Sequence, residues 1–383
     1  MKIIRRFWGL TQIFSFLCAL YVSAVHYCHR RCFMKSIRPV VAILIAPVIV
    51  WLLLTLFVAD ETVVSLQANQ GGMTPQAYVP ALMNPDEPTP TPMPTATPTA
   101  TPPPAPTNWL SYVNLFRFQA NLPTVAENSS WSNGGYLHGQ YMVKNDYIGH
   151  SEDPGNPWYT PEGLAAAQNG NVAVSSSVSA SDYSMINVWM TGPFHAVGIL
   201  DPKLHTTGFG NYHESIGTWR SGATLDVLRG RGLVPASVTF PVRYPRSDGQ
   251  LWLLSYTGGE YPNPILGCGY STPTGGPIIL QLGSGSLTPN VTAYSLMQGP
   301  SPLTACVYDE TNYSLPGDAP GQSLGRSVLG SRDAIVMIPQ QPLQQGQTYA
   351  VSITTNGNTY TWSFTAVASP VSVQEETNLV EIR

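Results

Sequence analysis

An apolar run at residues 39–58, PVVAILIAPVIVWLLLTLFV, carries no charge and predicts a membrane helix. A helix of about 20 residues crosses a hydrocarbon core of roughly 30 Å, and a proline inside it is tolerated there. Arg31, Lys35 and Arg38 precede the run and Asp60 follows it, an order that keeps the N-terminal side cytoplasmic. We therefore predict a single-pass membrane anchor, with the bulk of the chain extracytoplasmic.

Residues 1–38 form a basic N-terminal segment, for which the sequence allows two interpretations. Its apolar stretch, residues 7–27, is either an additional membrane helix or an extension upstream of a true start at Met34. Signal cleavage after Ala59 competes with the uncut anchor, although Phe57 is bulky where small residues are preferred. None of these alternatives changes the side of the membrane on which the remaining chain lies.

Residues 59–107 are predicted to form an extracytoplasmic linker. Its second half, residues 80–107, contains eleven prolines and seven threonines. Proline fixes φ and removes amide donors, which excludes helix and sheet and favours extended polyproline II. We interpret this stretch as a stalk that holds the following residues away from the membrane, rather than as disordered filler.

Residues 108–235 show helical spacing of apolar residues first and strand-like alternation afterwards, which indicates layered α+β structure. The predicted helices cover 108–119, 132–144 and 181–190, and the predicted strands lie within 205–213 and 218–227.

Residues 240–368 show strand signals and no helical period, which predicts a second, all-β domain built as a sandwich. The clearest signal is a hairpin: residues 349–353 and 360–364 alternate on either side of Asn356-Gly357. The segment from 342 to 364 resembles the last strands of bacterial Ig-like surface domains. Residues 369–383 are predicted to be a loose tail.

The first folded segment contains three stretches in a characteristic order: WLSYVNLFRFQANLPTV, YLHGQYMVKNDYIGH and WMTGPFHAVGILDPKLHTTGFG. With these stretches, the segment, about a third of the chain, resembles the CAP superfamily, also called SCP-like or PR-1-like, in its bacterial extracellular branch. The matching positions are Asn114, Arg117, Leu122, Pro123, His150, Trp189, His195, Ile199, Leu200, Pro202, Gly208 and Gly210. It implies a three-layer α/β/α sandwich around a short antiparallel sheet.

The resemblance also implies a cleft in which two histidines and two glutamates can hold a divalent metal. The matching histidines are His150 and His195, but Gly170 replaces the first glutamate and Thr191-Gly192 the second. Zinc normally needs three or four ligands, and hydrolysis needs a general base. No cofactor is therefore expected to be required, and two imidazoles alone predict at most weak zinc binding.

Trp158, Tyr159 and Phe194 lie near these histidines in sequence. Aromatic side chains line apolar grooves for a lipid or a glycan, and they also simply pack in cores. Packing is the more common use of such residues, and we keep the lining of a cleft as the functional hypothesis for these three.

Cysteine use and charge agree with export. Cys268 and Cys306 are the only cysteines after residue 58, and in an exported chain such a pair predicts one disulfide.

Charged residues make up only 10% of the chain. Residues 1–59 carry seven basic and no acidic residues, whereas the remainder carries eleven basic and 22 acidic ones. That acidic remainder excludes nucleic acid as a partner, because binding it needs a cationic surface.

Together these observations predict a non-catalytic binding module at the bacterial cell surface, whose partner is a protein, a glycan or a lipid. The alternative is a metal-assisted or acid/base hydrolase of envelope polymer or protein that uses His150 and His195.

Overall fold

The computed structural model describes residues 103–371 and 380–382. The predicted basic segment (1–38), the anchor (39–58) and all but the last residues of the linker (59–107) lie outside them. Within the described ranges, no helix combines the length and the apolar character that crossing a bilayer requires.

The secondary structure alternates short helices and strands. The helices are α1 (Trp109–Phe118), α2 (Ser129–Lys144), α3 (Pro161–Asn169), α4 (Asp182–Thr191), α5 (Pro193–Ile199) and α6 (Ala319–Gly330). The strands are β1 (Ala126–Glu127), β2 (Gly170–Ser175), β3 (Thr206–Thr207), β4 (Phe209–His213), β5 (Ser221–Asp226), β6 (Val242–Tyr244), β7 (Gly249–Leu251), β8 (Ser255–Tyr256), β9 (Thr274–Gly275), β10 (Ile278–Gln281), β11 (Val291–Gln298), β12 (Ser301–Leu303), β13 (Ala305–Tyr308), β14 (Ala334–Pro339), β15 (Thr348–Thr355), β16 (Asn358–Ala366) and β17 (Val380–Ile382).

Side-chain caps fix where the three predicted helices begin. Asn108 caps α1 by accepting from the Ser111 amide, and Ser181 caps α4 in the same way. Helix α2 begins three residues before its predicted start, because the Asn128 side chain accepts from the first amides of the helix. Helices α3 and α5 were not predicted, because both are short. Each begins with a proline in its first turn.

The first segment is built on a four-stranded antiparallel sheet of order β17-β2-β5-β4. Successive side chains of a strand point to opposite faces, and β2 shows this directly. Val172 and Val174 pack with Met142 of α2, whereas Ala173 belongs to the larger core that contains Trp189 of α4. Helices therefore cover both faces of the sheet. The predicted α+β class is confirmed, and the CAP-like three-layer sandwich stays a prediction.

The edge strand β17 corrects the prediction of a loose tail over residues 369–383. Residues 380–382 pair antiparallel with β2, and Ile382 is buried. An alternating pattern of only three residues is too short to predict a strand. Residues 380–382 form a strand because they pair with the edge of β2.

The second segment contains two sheets, one of order β13-β14-β10-β6 and the other of order β12-β11-β15-β16-β7. The first is antiparallel throughout, and in the second only β7 runs parallel to its neighbour β16. The predicted hairpin is confirmed, with Val351 opposite Trp362 and Ile353 opposite Tyr360. The Ig-like assignment of residues 240–368 stays a prediction.

The all-β prediction for this segment is wrong, because residues 319–330 form helix α6. Its sequence, APGQSLGRSVLG, is rich in glycine and therefore weakly helical. Asp318 caps it, and Gly325 lets it approach closely: a Cβ there would lie 2.4 Å from a ring carbon of Tyr313. Tertiary packing thus overrides local propensity.

The predicted boundary at residues 235–240 falls between β5 and β6, but the residues on either side of it share one core. Trp252 packs against Phe116 in a tilted arrangement, with ring centroids 4.7 Å apart, and its Nε1–H donates to the Tyr112 hydroxyl at 3.0 Å. Further on, the Gln281 side chain donates to the Leu200 carbonyl at 2.9 Å. The two segments therefore pack as one compact unit.

Candidate functional site

His195 lies at the start of α5 and forms a hydrogen bond with a carboxylate from the second segment. Its Nδ1 is 2.8 Å from Oε1 of Glu260. The same oxygen accepts from the amides of Phe194 and His195, at 2.9 and 3.1 Å. Glu260 thus caps α5, which has no side-chain cap of its own, and a carboxylate is favourable at a helix N-terminus.

Gly192 explains why this carboxylate comes from so far along the chain. A Cβ at Gly192 would lie 2.7 Å from Oε1 of Glu260 and 2.8 Å from the Ile382 side chain. A glutamate at Gly192, one of the two positions where the resemblance expects an acid, would therefore collide with Glu260. Glu260 of the second segment therefore lies beside His195, in the space that the missing side chain of Gly192 leaves.

Protein atoms enclose the pair. Glu260 is 5% exposed and His195 is 6% exposed. Burial raises the pKa of Glu260, while the hydrogen bonds from His195 and the α5 amides oppose the rise. Oε2 of Glu260 and the buried hydroxyl of Tyr308 make no hydrogen bond within the described part of the chain. Burial, and next the charge of Glu260, raise the pKa of Tyr308.

His150 is held elsewhere. It is exposed, and its Nδ1 lies 2.7 Å from the Ala167 carbonyl of α3. Helix α3 packs beside α2, whereas α5 packs with α4, so different layers hold the two histidines. At Gly170, a Cβ would lie 2.8 Å from Thr224 and 2.9 Å from two backbone oxygens, which leaves no room for a glutamate. Across residues 103–371 and 380–382, no group of three or more histidine, cysteine or acidic side chains could hold a metal ion.

A second histidine–glutamate pair lies on the α2 side. His138 is fully buried, its Nδ1 is 2.8 Å from Oε1 of Glu152, and its Nε2 is 2.9 Å from the Gly149 carbonyl. The other Glu152 oxygen accepts from the Thr160 amide at 3.0 Å. His138 therefore faces the core.

Asn114 and Arg117, which carry the first motif of the resemblance, are structural. Asn114 bonds both backbone groups of Val125, at 2.8 and 3.1 Å. Arg117 is fully buried and donates only to carbonyl oxygens, those of Pro123, Ile199, Asp201 and Leu204, at 2.7–3.1 Å. Burial lowers its pKa to about 10, so it stays charged at neutral pH.

The three aromatic residues predicted to line the cleft have different surroundings. Phe194 is buried and packs edge-on against Tyr313, with ring centroids 4.9 Å apart. Trp158 is 38% exposed, and the Lys144 ammonium lies 4.6 Å from its ring centroid. Tyr159 is half-buried, and its amide donates to the Asn156 carbonyl.

The predicted disulfide is confirmed. Cys268, at the end of a 3₁₀ turn, is bonded to Cys306 of β13, with 5.8 Å between the Cα atoms. Sequence reasoning missed Glu260, which no motif marks: it lies in a short loop 65 residues after His195.

Comparison with known proteins adds one structural likeness. No model of a known protein family matches the chain, and no curated protein matches it. The crystal structure of an extracellular protein containing a SCP domain from Bacillus anthracis str. Ames is similar at 14% identity, with a TM-score of 0.25. The match covers 32% of this chain and only 39% of that one. Similarity at this level does not define the fold or the function of the chain.

Proposed function

We propose that the protein is a membrane-anchored, extracytoplasmic binding protein. It carries a non-catalytic CAP-like module, followed by an Ig-like β-sandwich, at the end of a proline-rich stalk. The binding partner is a component of the cell surface.

The non-catalytic assignment is supported by the hydrogen bonds that His195 and His150 already make within the fold. The Nδ1 of His195 is bonded to buried Glu260, and the Nδ1 of His150 is bonded to a carbonyl oxygen. Gly170 and Gly192 leave no space for the two glutamates that would complete a metal site between them. The side chains that the sequence resemblance offers for chemistry therefore stabilise the fold.

The extracytoplasmic side rests on the charge-free span at 39–58 with its basic flank. The Cys268–Cys306 disulfide supports it, because disulfides persist in oxidising compartments. Protease added to intact cells should release fragments from beyond residue 58. Full protection of those residues, with digestion only after lysis, would overturn the proposed location.

Zinc titration of the full chain in detergent micelles tests the non-catalytic assignment. We expect zinc binding no tighter than high micromolar, unchanged in His150→Ala. A stoichiometric, submicromolar isotherm that His150→Ala abolishes would overturn it.

One observation favours a hydrolase as the second candidate. A carboxylate 2.8 Å from a histidine Nδ1 orients the ring as in acid/base dyads. Release of fragments from purified cell wall or from casein, lost in both His195→Ala and Glu260→Gln but kept in Glu152→Gln, would establish this activity. We expect no release.

A further inference from the structure

The outward face of α2 carries a partly exposed strip of aromatic and polar side chains, which we call the aromatic strip. Tyr136, Gln140 and Lys144 recur every four residues and therefore share one helix face. Tyr212 of β4 lies beside them, with its ring centroid 5.4 Å from that of Tyr136 and nearly perpendicular to it. Trp158 continues the strip beyond Lys144.

The two terminal rings of the strip are open to solvent. Tyr136 is 44% exposed and Trp158 is 38% exposed, although most large aromatic residues of the described chain are half-buried or buried. Positions 136 and 144 are about 12 Å apart along a helix, and Trp158 extends that length. The strip therefore offers rings at both ends of a linear path.

Charges within the strip cancel. The Lys144 ammonium lies 2.5 Å from Oε2 of Glu214, which also accepts a hydrogen bond from the Tyr212 hydroxyl. The hydrogen bond with Glu214 raises the pKa of Lys144, and Lys144 lowers the pKa of Glu214. Both groups are therefore ionised at neutral pH, and the strip is polar but electrically neutral.

We propose that the aromatic strip binds a strand of neutral polysaccharide. This inference rests on the proposed binding function and names the class of its ligand. Sugar rings present flat C–H faces that stack on aromatic rings, and their hydroxyl groups pair with groups such as the Gln140 amide and the Glu214 carboxylate. A neutral, linear surface with rings at both ends fits such a strand.

The same features disfavour the other surface partners. A charged lipid headgroup or an acidic peptide needs an uncompensated cation, and Lys144 is paired. A contiguous apolar patch, which marks many protein interfaces, does not form here, because Gln140, Lys144 and Glu214 interrupt the rings.

The test is calorimetric titration of the full chain in detergent micelles with chitohexaose and cellohexaose, two neutral linear oligosaccharides. We expect saturable binding of at least one of them. Trp158→Ala and Tyr136→Ala should each weaken it about tenfold or more, as truncated aromatic anchors do. Tyr136→Phe keeps the ring and should stay within about threefold of the unchanged chain.

Tyr294→Ala is the matched control, because Tyr294 is 49% exposed but lies on β11, away from the strip. It should leave the affinity unchanged. Raising NaCl from about 0.05 M to about 0.5 M should also have little effect, since screening weakens only charged contacts.

The proposal is overturned if neither oligosaccharide binds, or if both alanine variants bind as well as the unchanged chain. Salt-sensitive binding to vesicles of anionic phospholipid, without oligosaccharide binding, would also overturn it and identify a membrane ligand. Either result leaves the non-catalytic assignment standing, because only zinc binding or hydrolysis dependent on His150 or His195 contradicts that assignment.

Discussion

The two buried histidine–glutamate pairs have the same geometry but connect different parts of the molecule. In both, Nδ1 and Oε1 are 2.8 Å apart. Glu152 follows His138 by 14 residues, and the pair fastens a local loop to α2. Glu260 follows His195 by 65 residues, and its pair fastens the second segment to α5. Chain separation, rather than contact geometry, thus decides whether such a pair stabilises a loop or joins two segments.

The loop around Glu260 also holds the edge strand. Ile382 of β17 donates to the Gly259 carbonyl at 2.9 Å and accepts from the Tyr261 amide at 3.2 Å. Loss of the His195 pair should therefore loosen both α5 and β17. Loss of the His138 pair should leave both in place.

The largest effect is expected for Glu260→Ala. It removes the acceptor of three hydrogen bonds and leaves a buried histidine unpaired. The free energy of unfolding should fall by about 3–5 kcal/mol, measured by urea denaturation of the full chain. Hydrogen exchange should accelerate in α5, in residues 256–262 and in β17.

Glu162→Ala is the control for this variant, because Glu162 is an exposed glutamate in the first turn of α3. It should change the free energy of unfolding by about 0.5 kcal/mol or less. A Glu260→Ala chain as stable as this control would contradict the linking role of Glu260.

Removal of the disulfide should have the next largest effect. The Cys268→Ser/Cys306→Ser double variant should lose about 2–4 kcal/mol of unfolding free energy, because the bridge closes a loop of 38 residues. Exchange should accelerate in residues 261–270, which follow Glu260, and not around Glu152. Reductant should lower the free energy of unfolding of the unchanged chain and leave that of the double variant unaltered. An equal change in both chains would contradict the disulfide.

Glu152→Ala should have a smaller and local effect. It removes the acceptors of His138 and of the Thr160 amide, and we expect a loss of about 2–3 kcal/mol. Faster exchange should stay within residues 146–163. If protection also disappeared in residues 256–262, the two pairs would not be independent.

The smallest expected effect is a pH dependence specific to Glu260. Its pKa is raised by burial above the ordinary 4.5, so the folded chain holds this proton more tightly than the unfolded chain does. The resulting stability is complete below pH 4.5 and is lost as pH rises through the raised pKa. The groups that face Glu260 are His195, Tyr256, Tyr308 and Tyr313.

Glu260→Gln removes this titration and keeps an oxygen acceptor. Between about pH 4 and about pH 8 its stability relative to the unchanged chain should rise, by about 1.4 kcal/mol for each unit of raised pKa. Urea denaturation at a series of pH values measures the difference. A pH-independent difference between the two chains would mean that Glu260 keeps an ordinary pKa.

Local sequence determined the elements whose signals lie within a few residues. Asn108 and Ser181 mark helix starts because a side-chain oxygen caps the next amides. The alternation around Asn356-Gly357 defines a hairpin because side chains on a strand have a period of two. The expectation of export and the cysteine count together predicted the disulfide, since only two cysteines follow residue 58.

Only the tertiary structure decided the parts that depend on distant contacts. Helix α6 forms from glycine-rich sequence because Asp318 caps it and it packs closely on Tyr313. Residues 380–382 become a strand because β2 offers a free edge. Glu260 becomes the partner of His195 because Gly192 leaves the space for it. A local pattern encodes propensity, whereas the position of a side chain 65 residues away is fixed only when the whole core has packed.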